Sequence, residues 1–186
     1  MATSAIRKYP IGIQSFEKLR RGQYIYVDKT DLVYQLATAG NPCFLSRPRR
    51  FGKSLLLSTF EAYFLGKKEL FTGLAVEQLE TEWAVHPVFH LDLNAERYDS
   101  VEELDNMLES QLSRWEQTYG ITQPNRSISI RFMDVIREAS VQTGRGVVVL
   151  IDEYDKPLLR SFHNEELQQQ FRNRLTAFYT VLKSAD

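Results

Sequence analysis

The sequence CFLSRPRRFGKSLLLSTFEAYF at residues 43–64 predicts a strand, a basic loop and a helix, in that order. Its first three residues form a short apolar run that is typical of the end of a buried strand. Gly52, Lys53 and Ser54 then open an apolar helix. Because the first turn of a helix presents unpaired backbone N–H groups and the positive end of the helix dipole, this order predicts a phosphate site.

Each residue of the Gly-Lys-Ser triplet suits one part of that chemistry. Gly52 lets the backbone approach a phosphate oxygen, Lys53 supplies a positive charge, and the Ser54 hydroxyl is a ligand for Mg²⁺. In the general pattern G-x-x-x-x-G-K-[ST], however, Arg47 stands where the first glycine belongs. Since such triplets are also common in surface loops, this stretch alone favours a basic turn before a core helix equally well.

The composition is that of an ordinary globular chain. The 186 residues make one domain or a piece of one, and 43% of them are hydrophobic and 25% charged. A formal net charge of −1 gives no broad attraction to nucleic acid or anionic membrane. The single cysteine, Cys43, excludes an internal disulfide and is expected in the core. The longest apolar run, 147–151, is too short to span a bilayer, so we expect a cytoplasmic protein without membrane partners.

Capping residues and apolar spacing predict helices along the whole chain. Ser15 caps a short helix, and Asp28 or Thr30 caps a second one. Ser100 and Glu103 form the capping box of a long helix. Further helices are predicted at about 54–65, around Phe132 and from about Asn164, and strands at about 42–45, 87–93 and 147–151.

Strands separated by helices imply an α/β fold with a parallel sheet. Together with the Gly-Lys-Ser loop, this arrangement resembles the P-loop NTPase-type parallel sheet flanked by helices. Ligands of such sheets bind at the carboxyl ends of the strands. The apolar strand 147–151 ends in Asp152 and Glu153. One carboxylate can hold the Mg²⁺ of a nucleotide while the other acts as general base on water. Paired acids at a strand end also occur as helix caps or surface ion pairs, but together with the basic loop they favour a nucleotide site.

Four blocks of the sequence resemble the signature blocks of a known family. They are YVDKT at 26–30, LSRPRRFGKS at 45–54, GKKEL at 66–70 and LIDEYDKP at 150–157. The family is the bacterial AAA-ATPase-like family, predicted P-loop ATPases that are often fused to a C-terminal PD-(D/E)XK nuclease-like domain. Arg47 departs from the general phosphate-loop pattern but agrees with this family.

The resemblance implies a role for three of the four blocks. It assigns Lys53 and Ser54 to phosphate and magnesium, makes Asp152 and Glu153 the metal and base carboxylates, and places the 26–30 segment near the adenine. We therefore expect Glu153 and Lys53 to be catalytic, and Ser54 and Asp152 to bind the metal. The expected nucleotide-binding residues are Arg47, Pro48, Arg49, Arg50, Phe51, Gly52, Lys53, Ser54, Leu55 and Asp28.

Several other residues keep two interpretations. Arg47, Arg49 and Arg50 either contact phosphates or a neighbouring subunit, or pair with the acids that follow the last strand. Asp92 is either a secondary base or water ligand or, as we expect, the cap of the loop after its strand. Residues 155–156 are expected to have an ion-paired structural role. Metal binding by histidine is not expected.

The first function that these features predict is binding of ATP with Mg²⁺ and its hydrolysis, as the nucleotide module of a larger protein with a nuclease-like or other effector domain. The alternative is a nucleotide-dependent switch or binding module with little turnover. Direct nucleic-acid binding through the loop arginines is a third function, which the net charge disfavours. The expected partners are ATP, a C-terminal effector domain and a second copy of the chain.

The expected domain runs over residues 1–186 and is incomplete. P-loop ATPases of the AAA kind, which the chain resembles, have at least five strands, and we predict only three. We therefore expect the N-terminal part of such a domain, ending after the acid-bearing (Walker B) strand and the helix that follows it. The strands at 42–45 and 147–151 then either pair directly or leave a slot with unpaired backbone groups between them.

Overall fold

The computed structural model describes residues 8–48, 50–121 and 125–183. The chain forms two compact units, the first ending at His86 and the second beginning at Pro87. The first unit contains helices α1 (Phe16–Arg21), α2 (Thr30–Thr38) and α3 (Lys53–Phe64), followed by 3₁₀ turns at Lys68–Phe71 and Ala75–Gln78. The second contains β1 (Val88–Asp92), α4 (Val101–Tyr119), α5 (Ile128–Thr143), β2 (Val148–Asp152), α6 (Lys156–Arg160), α7 (Glu165–Thr180) and a 3₁₀ turn at Val181–Lys183.

Helix α1 begins as its sequence predicts. The Ser15 hydroxyl accepts a hydrogen bond from the Lys18 N–H (3.2 Å), which satisfies one of the free donors of the first turn. The Phe16 N–H donates to the Ser58 hydroxyl (2.9 Å) and so ties α1 to α3. One serine therefore caps the helix and another fixes its position within the first unit.

Aromatic side chains dominate the core of the first unit. The ring centroids of Phe16 and Phe71 lie 4.8 Å apart, and those of Tyr63 and Trp83 lie 5.8 Å apart. The Tyr63 hydroxyl donates to the Glu80 carboxylate, and burial together with this hydrogen bond raises the pKa of the Tyr63 phenol. The buried residues of this core are Phe16, Val33, Ala62, Tyr63, Leu70, Phe71, Leu74 and Val76.

Helix α3 is confirmed, beginning and ending one residue earlier than predicted. It buries Thr59, Ala62 and Tyr63, and within its unit it packs against α1 and α2. Leu55 and Leu56 are only half buried. The sequence of α3 is apolar over much of the helix girth, but within the first unit the helix buries a single stripe, as a helix packed on other helices does.

The predicted strand at 42–45 is wrong. These residues form no strand, and Cys43, Phe44 and Leu45 are all exposed, Phe44 by 70%. A strand is stable when its backbone pairs with a neighbouring strand, and the described residues of the first unit contain none. A run of three apolar residues cannot distinguish a buried strand from an exposed apolar segment. Cys43 is therefore a surface thiol and not the core residue that we expected.

The other two predicted strands are confirmed, and they pair in parallel. β1 and β2 align Val88 with Val148 and Asp92 with Asp152. The described part of the chain thus has the mixed α/β class, with a sheet of two parallel strands and helices around it. In β2, Leu150 and Asp152 are buried and the other residues are half buried, although a continuous apolar run is typical of a strand covered on both faces.

Helices α4, α5 and α7 enclose the core of the second unit with the apolar stripes that their spacing predicts. The rings of Phe132 and Phe178 stack with centroids 4.3 Å apart. Gly120 and Gly144 end α4 and α5 in the left-handed conformation, with φ of +70° and +63°. The buried stripe residues are Leu104, Met107, Leu108, Leu112, Phe132, Val135, Ile136, Ala139, Phe171, Leu175 and Phe178. Among the described residues, no helix is both long and apolar enough to cross a bilayer.

The capping box of α4 is only half formed. The Glu103 carboxylate accepts a hydrogen bond from the Asp99 N–H (2.8 Å), one residue before the expected donor. The Ser100 side chain makes no capping hydrogen bond to the first turn of the helix. The Glu103 side chain is long enough to reach either N–H, so the sequence pattern S-x-x-E locates the start of the helix without fixing the hydrogen bonds there.

A buried ion group, which the sequence pattern did not predict, joins α4 to α5. Arg131 donates from Nε and Nη2 to the two carboxylate oxygens of Glu116 (2.8 and 2.6 Å), and from Nη1 to Glu109 (2.5 Å). The side chains of Arg131 and Glu116 are only 7% and 9% exposed. Glu116 follows Leu112 by four positions and Arg131 precedes Val135 by four. Charged residues within two apolar stripes were the signal that could have revealed this pair.

Candidate functional site

The predicted phosphate loop leads into α3 through two residues in the left-handed conformation. Arg50 has φ +70°, and Gly52, the N-cap of α3, has φ +77°. Glycine adopts this conformation freely, whereas another residue does so at a cost of about 1–2 kcal/mol. A Cβ added at Gly52 would meet no atom within 4 Å. The backbone at Gly52 is therefore open to close approach by a ligand.

The first turn of α3 has no capping side chain. Its first helical hydrogen bond runs from the Leu56 N–H to the Gly52 oxygen (3.0 Å). The N–H groups of Lys53, Ser54 and Leu55 therefore precede the hydrogen-bond ladder of the helix. Together with the dipole of a helix of 12 residues, these donors make the turn suitable for an anion.

The Lys53 side chain joins the end of the phosphate loop to its beginning. Its Nζ donates to the backbone oxygen of Arg47 (3.2 Å), and the residue is half buried. Arg49 lies outside the described residues, so its expected contact with phosphate stays a prediction. The loop residues whose side chains are exposed are Arg47, Pro48, Arg50 and Phe51. The loop thus holds its lysine at the start of α3 while most of its other side chains face solvent.

The acid pair follows β2 in the second unit. Asp152 is 7% exposed, and its Oδ1 accepts a hydrogen bond from the Glu153 N–H (3.0 Å). Its backbone oxygen accepts from the Leu93 N–H (3.1 Å), which extends the pairing of the two strands. Glu153 is half buried and has φ +52°. When a residue other than glycine adopts this left-handed conformation, the surrounding structure has to fix it, and such residues are common at functional sites.

Asp92 caps the turn after β1, as expected. Its Oδ1 accepts a hydrogen bond from the Asn94 N–H (2.8 Å). Asp92 is exposed, and its Cα is paired with that of Asp152 in the sheet register. Lys156 also contacts this turn. Its Nζ donates to the backbone oxygen and to the side-chain oxygen of Asn94, and it lies 5.9 Å from the centroid of the Tyr98 ring. The structure thus gives Lys156 a neutral partner in place of the expected ion pair, and nothing in the local sequence indicated that partner.

The carboxylate of Asp28 accepts hydrogen bonds at both of its oxygens. Oδ1 accepts from the N–H and the hydroxyl of Thr30 (2.9 and 2.7 Å), and Oδ2 accepts from the Ala75 N–H (2.7 Å). The buried Thr30 hydroxyl accepts in turn from the Val76 N–H (3.1 Å). Burial alone raises the pKa of Asp28, but these hydrogen bonds lower it below its ordinary value. Asp28 therefore ties the start of α2 to the turn at Ala75–Gln78, and its expected proximity to adenine stays a prediction.

Asp28→Ala is expected to destabilise the first unit by about 1 kcal/mol, because it removes the carboxylate that accepts from the Thr30 and Ala75 N–H groups. Since the pKa of Asp28 is lower in the folded chain, its contribution is present above the unfolded pKa and is lost as the pH falls through the folded pKa. Urea unfolding at about pH 7 and about pH 3, in a Trp115→Phe background where Trp83 reports the first unit, measures both effects. Asp31→Ala is the matched control, and an equal loss there would point to the helix dipole instead.

The predicted ligands of magnesium are a hydroxyl and a carboxylate. Ser54 lies in the first turn of α3, in the first unit, and Asp152 ends β2, in the second. Proteins hold a nucleotide-bound Mg²⁺ with one or two such oxygens together with phosphate oxygens, so each of these two groups, taken by itself, is a suitable kind of ligand. Within the described residues, no group of three or more His, Cys, Asp or Glu side chains could hold a metal ion by itself.

Comparison with known proteins gives one family match and one informative relative. A family model described as Predicted AAA-ATPase, of the AAA-ATPase-like type, matches residues 10–186. A protein of Azotobacter chroococcum mcd 1, named "Uncharacterized protein in vnfD 5'region", is 41% identical over 182 residues, which are 97% of this chain and 35% of that protein. The chain therefore spans about a third of the length of this relative. No solved structure matches the chain significantly.

Proposed function

The chain belongs to the AAA-ATPase-like family of predicted AAA-ATPases, and we propose on that basis that it binds ATP with Mg²⁺ and hydrolyses it to ADP and phosphate. The observation that carries this proposal is the uncapped first turn of α3 behind the left-handed Gly52. The N–H groups of this turn, the Lys53 ammonium and the Ser54 hydroxyl offer on one loop the donors, the charge and the oxygen ligand that a nucleoside triphosphate with its metal needs.

In this proposal the phosphate loop binds and orients the nucleotide. Lys53 exchanges its hydrogen bond with the Arg47 oxygen (3.2 Å) for one with a phosphate oxygen. Gly52 has no side chain at the point where the backbone comes nearest to the phosphates. Ser54 and Asp152 are the proposed ligands of Mg²⁺, which when bound neutralises negative charge on the phosphates. Each of these tasks follows from the local chemistry of the residue that performs it.

Glu153 is the proposed general base. Its carboxylate accepts a proton from water while the water oxygen forms a bond to the γ-phosphorus. The bond between that phosphorus and the bridging oxygen breaks, and ADP leaves with its electron pair. The position of Glu153 directly after the buried end of β2, in a conformation fixed by hydrogen bonds on both of its sides, supports this role.

We further propose that the nucleotide state acts on an effector domain, nuclease-like or other, within a longer polypeptide. The support is the length of the Azotobacter relative, of which 35% corresponds to this chain. A nucleotide acts on a remote domain when its binding free energy differs between two states of the whole protein. ATP-dependent changes in the protease sensitivity of the remainder of such a protein, absent in Lys53→Ala, test this proposal.

Lys53→Ala is expected to weaken binding of ATP with Mg²⁺ by about 10- to 100-fold, since a hydrogen bond from a charged donor is worth about 1.5–3 kcal/mol. The melting temperature should stay unchanged, because Lys53 is only half buried and its ammonium donates to a single loop carbonyl. Titration calorimetry with ATP and with GTP, each with and without Mg²⁺, measures the effect. Lys68→Ala, an exposed lysine of the same unit, is the matched control. A Lys53→Ala chain that binds ATP as tightly as wild type would refute the proposed site.

A further inference from the structure

We infer that Lys156 is a positioning residue for Glu153, which it holds in place by joining the turn after β2 to the turn after β1. The inference rests on the function proposed above, in which Glu153 is the general base. It assigns to Lys156 no contact with the nucleotide. Lys156 would affect hydrolysis only by fixing the backbone position of Glu153.

The side chain of Lys156 is held by one residue of the turn after β1 and by the ring beside it. Its Nζ donates to the backbone oxygen of Asn94 and to the Asn94 side-chain oxygen (3.0 Å). The same ammonium lies 5.9 Å from the centroid of the Tyr98 ring. Two hydrogen bonds and a cation–π contact give a flexible lysine a single position, which a solvated surface lysine does not have.

The turn that receives Lys156 is itself rigid. The Asn94 N–H is held by the Asp92 carboxylate (2.8 Å), and the Tyr98 hydroxyl donates to the Leu93 oxygen (2.8 Å). Tyr98 is 1% exposed, and its ring packs against Phe171 with centroids 6.2 Å apart. Lys156 is therefore attached to an exposed turn that Leu93 and Tyr98 anchor to the core.

The backbone of Lys156 completes the link to Glu153. Its N–H donates to the Glu153 oxygen (2.9 Å), while the Glu153 N–H donates to the Asp152 carboxylate (3.0 Å). Glu153 has φ +52°, a sparsely populated conformation that persists only where the surroundings fix it. The anchored side chain of Lys156 therefore stabilises the turn that keeps Glu153 in this conformation, and we expect its loss to release that turn.

A general base works only when it is placed accurately against its water. Displacement by about 1 Å lowers the rate about a hundredfold even when the group itself is unchanged. A lysine that merely stabilised the fold would instead change stability, with no selective effect on turnover. The kinetic constants and the exchange of two backbone amides separate these two roles.

The test compares four variants with wild type. Lys156→Met keeps the aliphatic chain without the charge, Lys156→Arg keeps the donors, and Asn94→Ala removes one acceptor. Lys183→Met, which changes an exposed lysine of the same unit, is the control. We expect Lys156→Met to lower kcat for ATP about 10- to 100-fold while KM changes less than about twofold. Lys156→Arg should recover most of the rate, and Asn94→Ala should give an intermediate loss because its backbone oxygen remains.

The second measurement needs no nucleotide. Hydrogen exchange of the Glu153 and Lys156 amides should become at least about tenfold faster in Lys156→Met and stay unchanged in Lys183→Met, because both amides donate within the released turn. Unchanged exchange, or an equal fall of kcat in Lys183→Met, would overturn the inference. A wild-type chain that binds no ATP overturns the proposed function instead, and the exchange rates still show whether Lys156 holds the turn.

Discussion

Glu153→Gln should lower kcat for ATP hydrolysis by about 10²- to 10⁴-fold, the usual contribution of a general base. An amide has nearly the shape of the carboxylate but cannot accept the proton of the attacking water. The affinity for ATP with Mg²⁺ should stay within about twofold of wild type, because the variant leaves the loop before α3 unchanged. Steady-state phosphate release and titration calorimetry on the same preparation measure the two quantities.

Substitutions of the two neighbouring acids, Asp152 and Glu153, should have different effects on binding and on hydrolysis. Asp152→Asn is expected to weaken binding only when Mg²⁺ is present, since it removes charge from a proposed metal ligand. Glu166→Gln, an exposed acid on α7, serves as the control for the loss of one charge. If Glu153→Gln hydrolysed ATP at the wild-type rate, the base would lie elsewhere, and Asp92 would be the next residue to test. If wild type bound ATP without turnover, the chain would act as a nucleotide-dependent switch.

Arg131→Met should destabilise the second unit by about 3–5 kcal/mol, because it leaves the buried carboxylate of Glu116 without its partner. Arg131 makes three hydrogen bonds to Glu116 and Glu109, and the contact with Glu116 is almost fully shielded from solvent. A loss of this size is a large part of the stability of an ordinary domain. Urea unfolding in a Trp83→Phe background, where Trp115 reports the second unit, measures it.

Two further variants show whether the loss comes from the unpaired charge. Arg131→Met combined with Glu116→Met removes both charges and should recover much of the stability, since apolar replacements of a buried pair are often neutral. Arg126→Met breaks an ion pair with Asp134 (2.8 Å) in which the arginine is 49% exposed, and should cost less than about 1 kcal/mol. Equal losses in Arg126→Met and Arg131→Met would show that burial of the pair is unimportant.

Elements specified by nearby residues were predicted well. Ser15 caps α1, Gly120 and Gly144 end α4 and α5, and the apolar stripes of the long helices are buried as their spacing indicates. The two strands β1 and β2 and the parallel class of the sheet were also predicted, whereas the pairing of these two strands with each other was not. Capping, glycine conformation and helical periodicity act over a few residues, so the sequence displays them directly.

Features that depend on distant residues were missed or misassigned. The apolar run at 43–45 has the composition of a strand, but a strand also needs a paired neighbour, and that requirement is not local. In the sequence, Glu116 and Arg131 each interrupt an apolar stripe, and their pairing is evident only when α4 and α5 are packed together. The hydrogen bonds from Lys156 to Asn94 join residues 62 positions apart, so no local sequence pattern predicts them.

The same division holds for the candidate site. The order of residues alone specifies a basic loop, a Gly-Lys-Ser helix start and two acids after an apolar strand, because these are chemical groups placed by short-range structure. The left-handed backbone of Glu153, the burial of Asp152 and the use of Asp28 to hold the turn at Ala75–Gln78 were specified only by the tertiary structure. The physical reason is that each of these properties depends on distant parts of the chain. The strained backbone of Glu153, the removal of Asp152 from water and the sharing of the Asp28 carboxylate all require atoms that the fold brings from elsewhere.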